Sequence, residues 1–388
     1  MRRGSPEVAR IGLNALVVYT GASFRNAGVS RYTTQLITAL LRASDEHAYH
    51  VLVNDSVTEP PFGPSTRMRI TRTRLPTART SVRILWEQLV APLHVIRRRF
   101  DLLHSFLNVA PLAAPTRHVV TVHDLSFRRV PEAHPAQRRW YLNVATRLST
   151  RRAAAVLADS QATKRDLIED FGVPEAKVRV VYPGTEPDFH PRPASDVEAF
   201  RATKGLKRPF VLFVGTLEPR KNVDVLVRAF ARVRRGGGFD GELVIAGGRG
   251  WGSLDLNRVV QESGCAEAVR CVGYVKRSEL PLWYTSADLM VYPSSYEGFG
   301  IPVLEAMASG TPVITSNRSS LPEVVGDAGP TVDPRDDQRL ASVMTEILAS
   351  REHREVMREL GLARAQRFQW TTAAQRCLEV YQRVLTRP

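Results

Sequence analysis

Cysteine is nearly absent, with Cys265, Cys271 and Cys377 the only three in 388 residues. Their spacing suits neither a disulfide framework nor a metal site, so the sequence predicts a cytoplasmic chain whose cysteines are small core fillers. No apolar run approaches the roughly 20 residues that span a bilayer. The segment Ile11–Val18 is also too short for a signal-peptide core with a cleavage site, which argues against export. There is no Asp-x-Asp metal motif, and Asp336-Asp337 lies in a polar loop where capping or solvation accounts for it. Neither a metal nor another cofactor is expected. No internal repeat or low-complexity tract is present.

Lysine is scarce too, six against 48 arginines, yet the formal net charge is +15. Residues 1 to 150 hold 21 Arg and 9 acidic residues, a balance of +12. We read the imbalance first as a compositional bias toward Arg wherever the surface tolerates it. The second reading is peripheral contact with an anionic membrane. The stretch Arg67–Arg83, followed by Arg97-Arg98-Arg99, has Met68, Ile70, Leu75, Val82, Leu85 and Trp86 among its charges. Such a mixture suits either an interfacial helix or a solvated face beside a core helix. Nucleic acid is not expected as a partner, because no recognised module with aromatic or basic reading elements is present.

What the chain does have is strand and helix in alternation. Strands are predicted at Ile11–Val18, His50–Val53, Leu102–Ser105, His118–His123, Ala154–Ala158 and Val178–Tyr182. A second series falls at Phe210–Gly215, Glu242–Ala246, Val269–Val272, Leu289–Tyr292 and Pro312–Thr315. Short β-rich runs separated by helical stretches predict an α/β fold with two doubly wound parallel sheets, Rossmann-like in character. The four prolines and one glycine of Pro183–Pro193 mark the linker between them. Such sheets bind ligands beyond the carboxyl ends of their strands, so a site is expected in the cleft where the two face one another.

The most informative run is Glu297-Gly-Phe-Gly-Ile-Pro-Val-Leu-Glu305. It follows a strand and opens a helix that stops at Gly310, which puts Gly298 and Gly300 in a strand-to-helix turn. There a phosphate can approach the backbone and meet the N–H groups and positive end of the helix. Glu305 falls about one turn into the helix, where its carboxylate can accept both hydroxyls of a ribose, and Glu297 stays beside the phosphates. The implied ligand is a sugar nucleotide. Either glutamate alone would be an ordinary favourable charge near a helix dipole.

A second anchor, Gly215-Thr-Leu-Glu-Pro-Arg-Lys-Asn222, follows the strand Phe210–Gly215. Arg220 and Lys221 stand where a helix begins near Asn222, so their charges can converge on a pyrophosphate and neutralise it as a leaving group. In the first half, Ala27-Gly-Val-Ser-Arg-Tyr32 opens a helix through Leu41, and Val119-Val-Thr-Val-His123 ends a buried strand. By themselves Gly28 reads as a turn and His123 as a hydrogen-bonded structural residue. Ser160 reads as an N-cap.

Glu297 and Glu305 with seven residues between them, then Gly310-Thr-Pro-Val and Leu321-Pro-Glu-Val-Val325, resemble the retaining glycosyltransferases of family 4, which have the GT-B fold. The resemblance covers nearly the whole chain. It implies an N-terminal acceptor-binding domain at 1–187, a C-terminal nucleotide-sugar domain at 188–368, and a last helix, Trp370 to Leu385, crossing back onto the first domain. It also implies that Arg220 and Lys221 grip the donor diphosphate, with Phe299, Gly300 and Ile301 beside it. Glu305 would hold the ribose and the segment around Val275 the nucleobase. Gly28 would lie near the donor phosphate. His123 would contact the transferred sugar together with Glu297 and help stabilise positive charge at the anomeric centre. Same-face attack with the leaving phosphate taking the acceptor proton needs no dedicated base or metal.

The phrase His123 to Pro135 resembles a branch containing mannosyltransferases, which implies GDP-mannose as donor and a glycan, lipid-linked or natural-product acceptor. The alternatives are a same-fold nucleotide-sugar epimerase and, from a different class, a basic nucleic-acid-binding protein using the first half of the chain. A glucan phosphorylase does not fit, because no lysine stands in a context resembling the pyridoxal-phosphate site.

Overall fold

The computed structural model describes residues 8–20, 28–43, 46–248, 250 and 255–386. The chain forms two compact units, one of residues 1–128, 135–184 and 369–388 and the other of residues 129–134 and 185–368.

The first unit is built on a seven-stranded parallel sheet. Its strands are β1 (Arg10–Ala15), β2 (Ala48–Val53), β3 (Met68–Arg72), β4 (Leu102–Ser105), β5 (Arg117–Val122), β6 (Ala155–Ala158) and β7 (Val178–Val180). Their order, β3-β2-β1-β4-β5-β6-β7, reverses direction between β1 and β4. Central strands such as β4 and β6 are buried at every residue, as a sheet covered on both faces requires.

The second unit carries a six-stranded parallel sheet of β8 (Phe210–Val214), β9 (Glu242–Ala246), β10 (Val269–Gly273), β11 (Leu289–Tyr292), β12 (Val313–Ser316) and β13 (Thr331–Val332). The order β10-β9-β8-β11-β12-β13 reverses between β8 and β11. At that reversal the connections leave the sheet in opposite directions and open a crevice beyond the carboxyl ends of the strands.

The chain passes between units at Gly184/Thr185, within Pro183–Pro193, which holds no helix or extended strand. It returns at Phe368/Gln369. The last helix, Trp370–Thr386, places Ala373, Ala374, Cys377, Val380, Tyr381 and Val384 in the core of the first unit. The Tyr381 hydroxyl lies 2.6 Å from Nδ1 of buried His104. Gly184 fits there only without a side chain, since a Cβ would come within 2.2 Å of the Trp370 backbone nitrogen.

Several expectations need correction. Residues 16–18 turn out of β1, because the Asn54 side-chain amide donates to the carbonyls of Leu16 and Val18. Strand β5 ends at Val122, leaving His123 just beyond it. Arg67–Arg83 is not one continuous helix. Met68–Arg72 pairs in parallel with β2 as the edge strand β3, and helices follow at Thr80–Leu89 and Ala91–Arg98. Cys271 is exposed, whereas Cys265 and Cys377 are buried.

Candidate functional site

The loop after β8 and the loop after β11 flank the reversal of the second sheet and meet over it. The first ends in a 3₁₀ turn, Pro219–Lys221, and Asn222 takes the left-handed conformation (φ 50°) before the helix Val223–Arg235. The Asn222 amide reaches across to the Pro293 carbonyl at 2.8 Å and the Ser295 hydroxyl at 2.7 Å. These bonds tie the two loops together and aim Arg220 and Lys221 at Glu297.

Lys221 is buried and donates to the Tyr292 hydroxyl (2.6 Å) and to Oε1 of Glu297. Arg220 Nη1 lies 3.0 Å from the same oxygen and donates to the Tyr296 carbonyl at 2.7 Å, while its Nε donates to Glu218 at 2.9 Å. Burial pushes the Glu297 carboxyl up, but Arg220 and then Lys221 outweigh it and hold it at about 2. Both cations thus share the ionised Glu297 carboxylate at low local dielectric, and Arg220 is held by Glu218 as well.

This geometry has a pH consequence. Because the folded pKa lies below the ordinary 4.5, the stabilisation is complete above that value and is lost as pH falls from about 4.5 to about 2. It amounts to something on the order of 3 kcal/mol. Acid unfolding followed by circular dichroism should show a shallower pH dependence in Glu297→Gln across that window. Identical slopes would contradict the pairing.

After Glu297 the chain turns through Gly300, whose φ of 106° is open to glycine and costly for other residues, into the helix Ile301–Ala308. The Ser320 hydroxyl fixes the turn by donating to the Glu297 and Phe299 carbonyls at 3.0 and 2.8 Å. Phe299 is buried against Phe368, and Ile301 is half-buried.

Glu305, on the inner face of that helix, anchors a second cluster. Its two oxygens accept from Arg277 Nη1 (3.0 Å) and the Tyr284 hydroxyl (3.1 Å). Arg277 also donates to Glu186 and lies over the Phe189 ring, 4.8 Å from its centre. Burial raises the Glu305 pKa against the opposing pull of Arg277. Each oxygen has one protein donor, which leaves lone pairs for two ligand hydroxyls. Val275 lies two residues before Arg277, so the segment expected to hold a base adjoins the carboxylate expected to hold a ribose. Val275 also lines a pocket of about 320 Å³ with Lys204, Arg270, Tyr274 and Trp283.

Gly28 and His123 belong to the first unit. Gly28 is exposed with φ 48° at the head of the helix Val29–Ala43, and its carbonyl accepts from Tyr32. Ala27 lies outside the described residues. The Tyr32 ring packs edge-on against His123, 4.7 Å between centres. His123 Nδ1 meets Asp159 Oδ2 at 2.7 Å and its Nε2 meets the Phe106 carbonyl at 2.8 Å. The Phe106 carbonyl can only accept, so Nε2 carries a proton, and Nδ1 pairs with the Asp159 carboxyl. Burial opposes a charge on the ring, but Asp159 prevails and raises the pKa. Burial likewise raises the Asp159 carboxyl, so the proton is held within this buried pair. Ser160, as expected, caps the helix Gln161–Phe171 through the Thr163 N–H.

Sequence reasoning missed Asp159, Arg277, Tyr284 and Tyr292. Only Asp159 had a local signal, directly after a buried strand and before a helix cap. The others are ordinary helix and strand residues whose partners lie 5 to 91 positions away.

Among the described residues no group of three or more His, Cys, Asp or Glu could hold a metal ion, and no helix is long and apolar enough to cross a membrane. Residues 26–189 match the family model "Glycosyltransferase Family 4", and residues 196–364 match "Glycosyl transferases group 1". The chain is 34% identical to the O-antigen chain mannosyltransferase B of Escherichia coli over 266 residues, covering 68% of this chain and 70% of that protein. It is 29% identical to a GDP-mannose-dependent alpha-(1-6)-phosphatidylinositol monomannoside mannosyltransferase of Mycobacterium tuberculosis, covering 84% of this chain and 79% of that protein. The crystal structure of Anabaena HepE in complex with UDP and glucose superposes with a TM-score of 0.74 at 22% identity, covering 97% of this chain and 100% of that chain. With two α/β units of this architecture and these relatives, the chain belongs to the family 4 glycosyltransferases, enzymes of the GT-B fold.

Proposed function

We propose that the protein transfers mannose from GDP-mannose, with retention of configuration, to a hydroxyl of a glycan, lipid-linked or small-molecule acceptor in the cytoplasm. The observation that carries this reading is the buried cluster of Arg220, Lys221 and Glu297 at the reversal of the second sheet. Negative charge gathers on the β-phosphate as the glycosidic bond breaks, and two pre-positioned cations stabilise it without reorganising at the moment of reaction. Glu297 holds those cations in place until the donor arrives. Glu305 receives the ribose hydroxyls, and the turn at Gly300 offers N–H groups to the phosphates. The chain's own residues need not supply a base, since the departing phosphate can take the acceptor proton. No metal is required for neutralisation that Arg220 and Lys221 already provide.

Mannose rests on mannosyltransferases among the relatives, one of which is named for its GDP-mannose dependence. A thermal-shift screen across GDP, UDP, ADP and dTDP, followed by hydrolysis of the matching sugar nucleotides, tests it. GDP should raise the melting temperature most, and GDP-mannose should be the sugar nucleotide hydrolysed. Preferential stabilisation by UDP would move the donor to a UDP-sugar.

A further inference from the structure

The segment Pro183–Pro193 carries the chain from one unit to the other, yet two of its side chains serve the cluster around Glu305. Glu186 and Phe189 are both buried, and the Phe189 N–H donates to the Glu186 carbonyl at 3.0 Å, a turn that brings the two side chains to the same guanidinium. Nη2 of Arg277 donates to Oε1 of Glu186 at 2.5 Å, while Nη1 donates to Oε1 of Glu305 at 3.0 Å. The Phe189 ring faces that guanidinium, its centre 4.8 Å from the guanidinium carbon, and lies 6.0 Å from the ring of Tyr284, whose hydroxyl donates to Oε2 of Glu305. One guanidinium is therefore shared between two carboxylates, with an aromatic face fixing its plane.

An arginine facing a single carboxylate tends to close a two-pronged pair that occupies both carboxylate oxygens. Here the second prong is spent on Glu186. Glu305 therefore accepts one N–H from Arg277 and one O–H from Tyr284, and each of its oxygens keeps lone pairs for a further donor. That matters for a vicinal diol, which needs two acceptors at once. The charges agree, since two carboxylates and one cation give the cluster an excess of acceptors, suited to a neutral group that donates hydrogen bonds and ill suited to a phosphate. We propose that Glu186 is a positioning residue for donor recognition: by holding the second nitrogen of Arg277 it keeps Glu305 open to the vicinal hydroxyls of a ribose. The inference rests on the reading of Glu305 as the ribose acceptor and adds the residue that keeps this acceptor free. Without Glu186, Arg277 turns its released nitrogen to Oε2 of Glu305 and competes with the ribose.

Titration calorimetry of the full chain with GDP and 2′-deoxy-GDP, or with the corresponding uridine pair if UDP gives the larger thermal shift, tests this. Wild-type protein should bind the ribose form the more tightly of the two. Glu186→Ala should bind it roughly ten-fold more weakly and lose most of the preference, because the lone pairs taken by Arg277 are those of the hydroxyl contacts. In the Glu305→Ala background the same substitution should change neither affinity by more than about two-fold, the non-additivity expected of residues that act through one another. Glu186→Gln keeps the size of the side chain and a weaker acceptor for Nη2, so it should show the same trend at about three-fold, and it answers the question if the alanine variant does not fold. A full preference for the ribose form in either folded variant would overturn the proposal while leaving Glu305 as the ribose acceptor. Equal weakening in the Glu305→Ala background would overturn it as well, making Glu186 a structural residue of the connecting segment. Wild-type protein that binds the two nucleotides alike would remove the ribose reading itself, and the positioning role with it.

Discussion

Replacing Lys221 by Ala should lower kcat/KM by on the order of 10³-fold or more, the range expected when a fixed charge is removed from an oxyanion or a transferring phosphoryl group. Lys221 is buried, and its position is set on one side by Tyr292 and on the other by Glu297. A flexible surface lysine would have to be ordered during the reaction, while this one is already in place. The variant also removes one of two cations from a buried carboxylate, and breaking a buried pair can cost about 3–5 kcal/mol when nothing compensates. Arg220 remains 3.0 Å from Glu297, so the stability loss should be smaller than that. The measurement is therefore kcat/KM per folded molecule, with the folded fraction taken from near-ultraviolet circular dichroism. A change of only a few-fold in well-folded protein would remove Lys221 from the diphosphate site.

Glu305→Ala should act on binding. A hydrogen bond to a charged group contributes about 1.5–3 kcal/mol, so losing the ribose contacts should weaken nucleoside-diphosphate affinity roughly ten- to a hundred-fold. Arg277 keeps a carboxylate partner in Glu186, which limits collateral disorder. The deoxyribose nucleotide separates ribose recognition from general damage. Wild-type protein should bind GDP more tightly than its 2′-deoxy form, and Glu305→Ala should bind the two alike, as expected when one side of an interacting pair is gone. Titration calorimetry reads both. Undiminished discrimination in the variant would place the ribose elsewhere.

Most of the fold was legible because parallel strands buried on both faces announce themselves as uninterrupted apolar runs, such as Phe210–Val214 and Leu289–Tyr292. Edge strands send a weaker signal. In β3 the sequence Met-Arg-Ile-Thr-Arg is largely exposed, and its pairing with β2 is set by a neighbour that local pattern does not show. The turn glycines before Ile301 and the helix starts there and near Asn222 could be read from residue type, so the loops carrying Arg220, Lys221 and Glu297 were placed correctly along the chain. Their mutual geometry was not readable. Glu297 was expected beside the phosphates and is found bonded directly to both cations, because charge complementarity acts across 76 residues of sequence. His123 shows the same limit, since its partner Asp159 is 36 residues away.

The most direct measurement follows a nucleotide sugar, taken from the thermal-shift screen, with and without acceptor. Released nucleoside diphosphate and the new glycosidic bond are observed together by nuclear magnetic resonance. Our account predicts that GDP appears one for one with an α-linked mannosyl product, that this needs an acceptor hydroxyl, and that Lys221→Ala suppresses both signals. Conversion of the sugar nucleotide to an epimer without acceptor, or formation of a β-linked product, would contradict it.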